Sequence, residues 1–195
     1  MNDQQSASGK WKLTVVLLTP IVVAALATLM FVTGIGIPDG TRNKGELILP
    51  PQPWQQLDIR TAEGSWQEAQ QFGMWRIVQV TDDGCGQVCL DSLHLTRQVH
   101  IRLGKESHRV ARELISTGAV LSSETTQLLD SEHQSLARWQ GDANQVRDLV
   151  GEMAEGDYFI VDPQGYAMMR FRANQPGEEL LKDLMFLLTK KTGGM

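Results

Sequence analysis

Met74-Trp75-Arg76-Ile77-Val78-Gln79-Val80, followed at once by Asp82-Asp83-Gly84-Cys85-Gly86-Gln87-Val88-Cys89, decides how this chain folds. The first seven residues form an apolar run between Gly73 and the Asp82-Asp83-Gly84 turn signal, the pattern of a buried strand. From Leu90 through Leu93 and His94 towards Leu103 the apolar spacing becomes helical. The stretch therefore predicts a strand, a glycine-bearing turn that carries two thiols, and a helix. Cys85 and Cys89 are the only two cysteines in the chain, and they lie four positions apart. A first-turn helical geometry brings both sulfurs to one side, within disulfide or metal-chelating reach.

Ahead of this unit, residues 13–33 carry no charge, and the apolar character continues to Ile37. A helix over that run spans roughly 31 Å, which matches the hydrocarbon core of a bilayer. Pro20 is tolerable within a membrane helix. Lys10 and Lys12 precede the run with Asp3 the only acid on that side, which favours a cytoplasmic N-terminus, and Trp11 suits the membrane interface. Ala25-Leu26-Ala27 imitates a leader-peptide cleavage site. The run continues past it through Phe31 and Val32, so the expectation is an uncleaved anchor. The expected organisation is a cytoplasmic N-terminus over 1–12, a transmembrane anchor over 13–37, a linker over 38–53 and a periplasmic domain over 54–195. That places the chain in a bacterial inner membrane as a single-pass protein.

Of 18 basic and 23 acidic residues, 16 and 22 follow Ile37. This acidic balance, with no basic stripe, excludes a nucleic-acid partner. The linker is punctuated by Pro38, Gly40, Gly45, Pro50, Pro51 and Pro53, and Gly45-Glu46-Leu47-Ile48-Leu49-Pro50 within it suits a short extended piece on the domain edge. Residues 54–67 suggest a meander with Gly64 at the turn and Trp66 inward, and Gln70-Gln71-Phe72-Gly73 leads into the strand at Met74. After the dithiol, a helix is expected over 89–103 with Leu93, Thr96, Val99 and Leu103 buried, ending at Gly104. A second strand is expected over 109–115, with a helix starting at Ser107 as the alternative, then short helical pieces over 122–129 and 134–139, and a helix over 144–153 with Val146, Leu149 and Val150 inward. Asp162-Pro163-Gln164-Gly165 is a turn signal between two apolar runs, hence a β-hairpin. A final helix over 177–190 carries Leu180, Leu181, Leu184, Leu187 and Leu188 on one face, with Lys190 and Lys191 at its end. The class is α/β.

This order of elements is that of the thioredoxin fold. The anchor, the dithiol after a strand and the closing Tyr158-Phe159-Ile160-Val161-Asp162-Pro163-Gln164-Gly165 resemble the Sco/SenC group, membrane-tethered thioredoxin-fold proteins associated with assembling the copper centre of cytochrome c oxidase. The Asn43-Lys44-Gly45-Glu46-Leu47-Ile48 linker with Pro50, and the Cys-Gly-x-x-Cys loop, are more similar to a proteobacterial branch of transmembrane proteins grouped with cytochrome oxidase biogenesis factors. The resemblance implies copper as the metal, and an oxidase subunit or another assembly factor as the partner. It also implies copper ligation by Cys85 and Cys89 together with a distant histidine. That histidine would fall in Gly151-Glu152-Met153-Ala154-Glu155-Gly156-Asp157, which contains none; Met153 lies beside its place, and a thioether suits Cu(I).

Three chemistries fit the dithiol. Two thiolates are soft ligands for Cu(I), with Met153 as a third. A helix N-terminus would lower a thiol pKa and favour thiol–disulfide exchange, although Asp82 and Asp83 oppose a further negative charge. No proline occurs between Pro53 and Pro163, so the cis-proline that resembling oxidoreductases keep beside the dithiol is missing. General disulfide oxidation is thereby disfavoured relative to a narrower reductase of copper-site thiols. The third reading is a structural disulfide in a non-catalytic interaction module, but so short a loop gains only about 2 kcal/mol from its cross-link. His94, His100, His108 and His133 have no motif around them and read as surface or capping histidines. Asp157 and Asp162 read as turn and cap residues, and Trp54, Trp66, Trp75 and Trp139 as core or rim aromatics.

Overall fold

A computed structural model of the chain describes residues 3–33, 43–60 and 73–189. Of the expected meander over 54–67, the described part forms a 3-10 turn at Trp54–Gln56 and a single bridge from Arg60 to Gln140 in place of a strand. Residues 61–67 with Gly64 and Trp66, the approach at Gln70, Gln71 and Phe72, residues 34–42, Lys190 and Lys191 lie outside the described residues. The chain forms two compact units, Met1–Arg42 and Asn43–Met195.

The first unit holds helix α1, Asp3–Thr33, which continues through Pro20. Its segment Thr14–Val32 has 19 residues and is long and apolar enough to cross a membrane. Thr19 and Thr28 turn their hydroxyls back onto the carbonyls of Val15 and Ala24, at 2.7 and 2.8 Å. Polar groups satisfied within the helix suit an apolar surround.

The second unit is an α/β sandwich. In chain order it contains β1 (Glu46–Pro53), a 3-10 turn (Trp54–Gln56), β2 (Trp75–Thr81), α2 (Gln87–Arg102), a 3-10 turn (Gly104–Arg109), β3 (Val110–Ser116), α3 (Ser123–Glu132), β4 (Leu136–Gln140), α4 (Ala143–Val150), β5 (Tyr158–Val161), β6 (Tyr166–Phe171) and α5 (Gly177–Thr189). The sheet runs β1-β6-β5-β2-β3-β4. Strands β2, β3 and β4 are parallel, while β5 joins β2 antiparallel and β6 and β1 continue that sense.

Every residue of β2 is buried, so its alternation serves two faces at once. Val78 and Val80 enter a core with Trp54, Ile59, Ile115, Trp139, Val146 and Phe159. Trp75 and Ile77 enter the opposite core, under α2 and α5, with Val99, Leu103, Tyr158, Phe171, Leu180 and Leu184. Fully burying one such leucine contributes on the order of 1.5–3 kcal/mol.

Two expectations are corrected. The piece over 134–139, read as helical, is strand β4. Leu136 and Trp139 are three apart, which imitates helical spacing, but on a strand that spacing places them on opposite faces. Leu136 packs beside the cysteines and Trp139 in the Trp54 core. The segment 38–53, read as a linker with a short extended piece over 45–50 on the domain edge, is over the whole of Glu46–Pro53 an edge strand paired with β6, so the extended piece stands and the folded unit begins before residue 54. Asp183 of α5 accepts hydrogen bonds from the Lys44 and Gly45 N–H groups at 2.7 and 3.0 Å. Gly45 lies so close to Phe171 that a Cβ there would come within 2.5 Å of the ring.

Buried charge shapes the pH response of this core. Burial pushes the Glu113 carboxyl up to about 8, against the pull of the Arg76 guanidinium. His133 is pushed down to about 4 by burial and then by the positive charges of Arg112 and Arg97. A carboxyl with a raised folded pKa gives stability that is full below its ordinary value of 4.5 and is lost as pH climbs through about 8. His133 has the opposite sign: its contribution is full above 6.5 and is lost as pH falls through about 4. Denaturant melts between pH 4 and 9 should therefore show a decline on both sides. Glu113→Gln should flatten the alkaline limb and leave the acid limb in place; an unchanged alkaline limb would remove Glu113 as its cause.

Candidate functional site

The same alternation of β2 that builds two cores delivers its last two inward polar side chains, Gln79 and Thr81, to the dithiol. Thr81 Oγ1 accepts the Cys85 N–H at 3.1 Å. Gln79 Nε2 donates to the Cys89 carbonyl oxygen at 2.9 Å and to Cys89 Sγ at 3.1 Å. Each cysteine is thus fastened to the strand beneath it by one polar side chain.

Between the strand and α2 the chain turns through Gly84 and Cys85, both at positive φ, 73° and 63°. Cys85 is the only non-glycine residue in that region of backbone space among the described residues, a conformation that L side chains adopt at a cost and that tertiary structure must hold. Gly86 caps α2 with extended backbone and no side-chain hydrogen bond. Starting at Gln87 and not at residue 89, α2 places Cys89 inside its first turn. The two cysteines are joined by a disulfide across a Cα–Cα distance of 5.1 Å.

The sulfurs meet, and they meet below the surface. Cys85 is 3% exposed and Cys89 0%, packed with Leu93, Leu114, Leu129 and Leu136 and flanked by Leu90 and Leu121. The turn above them is open: Asp82, Asp83, Gly86, Gln87 and Val88 are exposed. The loop after α4 forms one wall. Helix α4 ends at Val150, before the expected 153, so Met153 sits in this loop. Met153 is half-buried and packs against the Trp54 core and not among the residues clustered with the cysteines. Glu155 lies over the turn, with Oε1 2.9 Å from where a Cβ on Gly86 would stand.

Asp157, expected as a turn residue, secures this loop. It is 2% exposed and accepts from Arg172 Nη1 at 2.9 Å, from the Ala154 N–H at 3.2 Å and from the Ala173 N–H at 3.4 Å. Ser92 of α2 donates to the Gly156 carbonyl oxygen at 2.7 Å. Gly156 has φ 81°, and a Cβ there would stand 2.9 Å from Ala173 Cβ and 3.0 Å from Val88 Cγ1.

The histidines serve elsewhere. His94 pairs with Gln98, His100 Nε2 donates to the carbonyls of Ser107 and Val110, His108 Nδ1 donates to the Lys105 carbonyl, and His133 lies beside Arg112. Among the described residues no group of three or more His, Cys, Asp or Glu side chains is arranged to hold a metal ion. The soft donor set near the turn is therefore the two sulfurs. Gln79, Thr81 and Ser92 escaped the sequence reading. Their signal was there: Gln79 and Thr81 are two polar residues at strand spacing in the strand that feeds the cysteines.

The profile of a family described as transmembrane-like, thioredoxin-like, C-terminal domain matches residues 75–190. No curated protein matches the sequence. Apo Sco1 from Thermus thermophilus superimposes with a TM-score of 0.57 at 17% identity, over 76% of this chain and 99% of that one. Copper-bound yeast Sco1 gives 0.56 at 13% identity, over 79% and 98%. BsSco, a member of the Sco family of cytochrome c oxidase assembly proteins in which a disulfide switch was identified, gives 0.54 at 11% identity, over 73% and 96%. At these identities the likeness establishes the fold, which is thioredoxin-like.

Gly156→Ala should lower stability by about 1–3 kcal/mol, since both the positive φ and the contact with Val88 resist a Cβ. It should also speed reduction of the disulfide by a small thiol, because the displaced loop uncovers the first turn of α2. Reduction at the wild-type rate in a destabilised variant would show that this loop does not shield the sulfurs.

Proposed function

We infer from its place in the transmembrane-like, thioredoxin-like C-terminal domain family, to which the chain belongs, that it is a membrane-anchored accessory factor in cytochrome c oxidase biogenesis. It acts through Cys85 and Cys89, which alternate between a disulfide and a dithiol that takes Cu(I) as cargo or exchanges with the copper-site thiols of a partner. The observation that carries the reading is the disulfide at the start of α2, seated on a thioredoxin-like sheet behind an N-terminal helix long enough to span a bilayer. BsSco, whose fold this domain shares, belongs to a family of cytochrome c oxidase assembly proteins and contains a disulfide switch.

The chemistry is simple in outline. Reduction releases two soft sulfurs at a helix N-terminus, where a thiolate is favoured, and thiolates select Cu(I) over hard cations. Met153 is the candidate third ligand; to reach the sulfurs its loop would have to turn the thioether out of the Trp54 core. We further assign 1–12 to the cytoplasm, 13–37 to the inner membrane and the folded unit to the periplasm, from the cations ahead of the apolar run. The partner is an oxidase subunit or another assembly factor.

One observation favours a second reading. The sulfurs are nearly inaccessible, at 3% and 0% exposed, as befits a structural bond in a docking module without redox or metal turnover.

Binding separates the two. Full-length protein in detergent, reduced and titrated anaerobically with Cu(I) against a competing chelator, should take up about one ion per chain. Cys85→Ser should lose it, and Met153→Leu should weaken it if the thioether joins the site. Equal Cu(I) uptake by wild type and Cys85→Ser, or normal oxidase assembly in cells carrying Cys85→Ser with Cys89→Ser, would leave the structural reading standing.

A further inference from the structure

Gln79 is 1% exposed, and its amide is used unevenly. Nε2 donates to the Cys89 carbonyl and to Cys89 Sγ, whereas Oε1 is buried with no hydrogen-bond partner. Cys89 O can only accept, which fixes the amide with its N–H groups towards the cysteine. A buried, unpaired amide oxygen costs about 1–3 kcal/mol, a burden that a strand position buried on both faces would shed with a leucine or valine. A disulfide sulfur is a weak acceptor and returns little for that cost. A thiolate is a strong one, because hydrogen bonds to an ionised acceptor are roughly twice as strong as neutral ones. The arrangement is matched to a charge that Cys89 does not carry while the disulfide is closed.

We propose that Gln79 is a positioning residue that stabilises a Cys89 thiolate when the disulfide opens, and so biases the pair towards its reduced form. The inference rests on the reading of Cys85 and Cys89 as a working couple. Cys85 keeps the residual exposure and Cys89 has none, so an incoming thiolate from a dithiol reductant attacks Cys85 Sγ. The Cys85–Cys89 bond breaks, a mixed disulfide forms at Cys85, and the electron pair leaves on Cys89 Sγ, held by Gln79 Nε2–H. The reductant's second thiolate then attacks its own sulfur in the mixed disulfide, closing the reductant to a disulfide and releasing Cys85 as a thiolate that takes up a proton. Of the two protons the reductant brought, one remains on Cys85 and one goes to water.

Among the described residues that hydrogen-bond to the cysteines or cluster with them, none is a cation that could perform this task. Thr81 is spent on the Cys85 N–H, and the exposed Asp82, Asp83 and Glu155 around the turn carry the wrong sign for a thiolate. A neutral donor from beneath is therefore the available means of seating charge on the inner sulfur.

The test uses full-length protein in detergent with Gln79→Met, which keeps the length of the side chain and removes the donor, and Gln79→Glu, which replaces it with an acceptor. Equilibrated with a dithiol redox buffer, Gln79→Met should shift the dithiol–disulfide constant about tenfold towards the disulfide, a potential lower by about 30 mV. Thiolate absorbance should titrate at higher pH in the same variant, and Gln79→Glu should move both further in the same sense. In the wild type, the Gln79 side-chain amide protons should shift downfield in NMR spectra on reduction, a readout that needs no variant to fold. A Gln79→Met constant within twofold of wild type, or an amide signal unmoved by reduction, would overturn the proposal. Loss of Cu(I) binding would not bear on these readouts, so failure of the copper reading and failure of the role of Gln79 are told apart.

Discussion

The strict two-residue alternation of β2, buried on both faces, is the constraint on which the rest of the molecule depends. Odd-numbered positions face α2, and the last two of them are polar where apolar side chains would pack as well. Gln79 and Thr81 reach one cysteine each, so the strand both bears the core and sets the register of the turn above it. A slip of one residue would point Val78 and Val80 at the sulfurs and bury Gln79 in the Trp54 core.

That constraint also explains how a turn containing a non-glycine residue at positive φ persists. Cys85 is held from below by Thr81 Oγ1 and covalently by Cys89, while Gly84 and Gly86 on either side carry no Cβ to crowd it. The wall formed by the loop between α4 and β5 is fixed independently, by the Asp157 carboxylate and by Ser92. Two anchored segments therefore meet over the disulfide, which accounts for sulfurs that lie at the edge of the fold yet expose almost no surface. Exchange or metal uptake at this site requires one of those segments to move.

Much of this was legible in the sequence, and the exceptions have physical causes. The apolar run before the cysteines, the Asp162-Pro163-Gln164-Gly165 turn and the leucine face of the last helix each follow one periodicity over enough residues to be decisive. Strand β4 misled because Leu136 and Trp139 serve opposite faces, which over five residues looks like a helical stripe. Strand β1 was legible as an extended piece over 45–50 on the domain edge, but its run on to Pro53 was hidden by its prolines, which are compatible with an edge strand; Asp183, which ties down its start, is 138 residues from Gly45. The pairing of the cysteines could be anticipated from their spacing. Their burial could not, since it is produced by Leu114, Leu129 and Leu136 arriving from later elements.

The central claim is that the Cys85–Cys89 bond is a working couple and not a fixed staple. It is tested most directly by the midpoint potential of the pair, measured on the folded full-length protein equilibrated in thiol–disulfide buffers at neutral pH. A value above about −300 mV, within reach of cellular thiol reductants, is what a couple eased open by Gln79 predicts. A value below about −300 mV would mark the bond as structural and contradict the account.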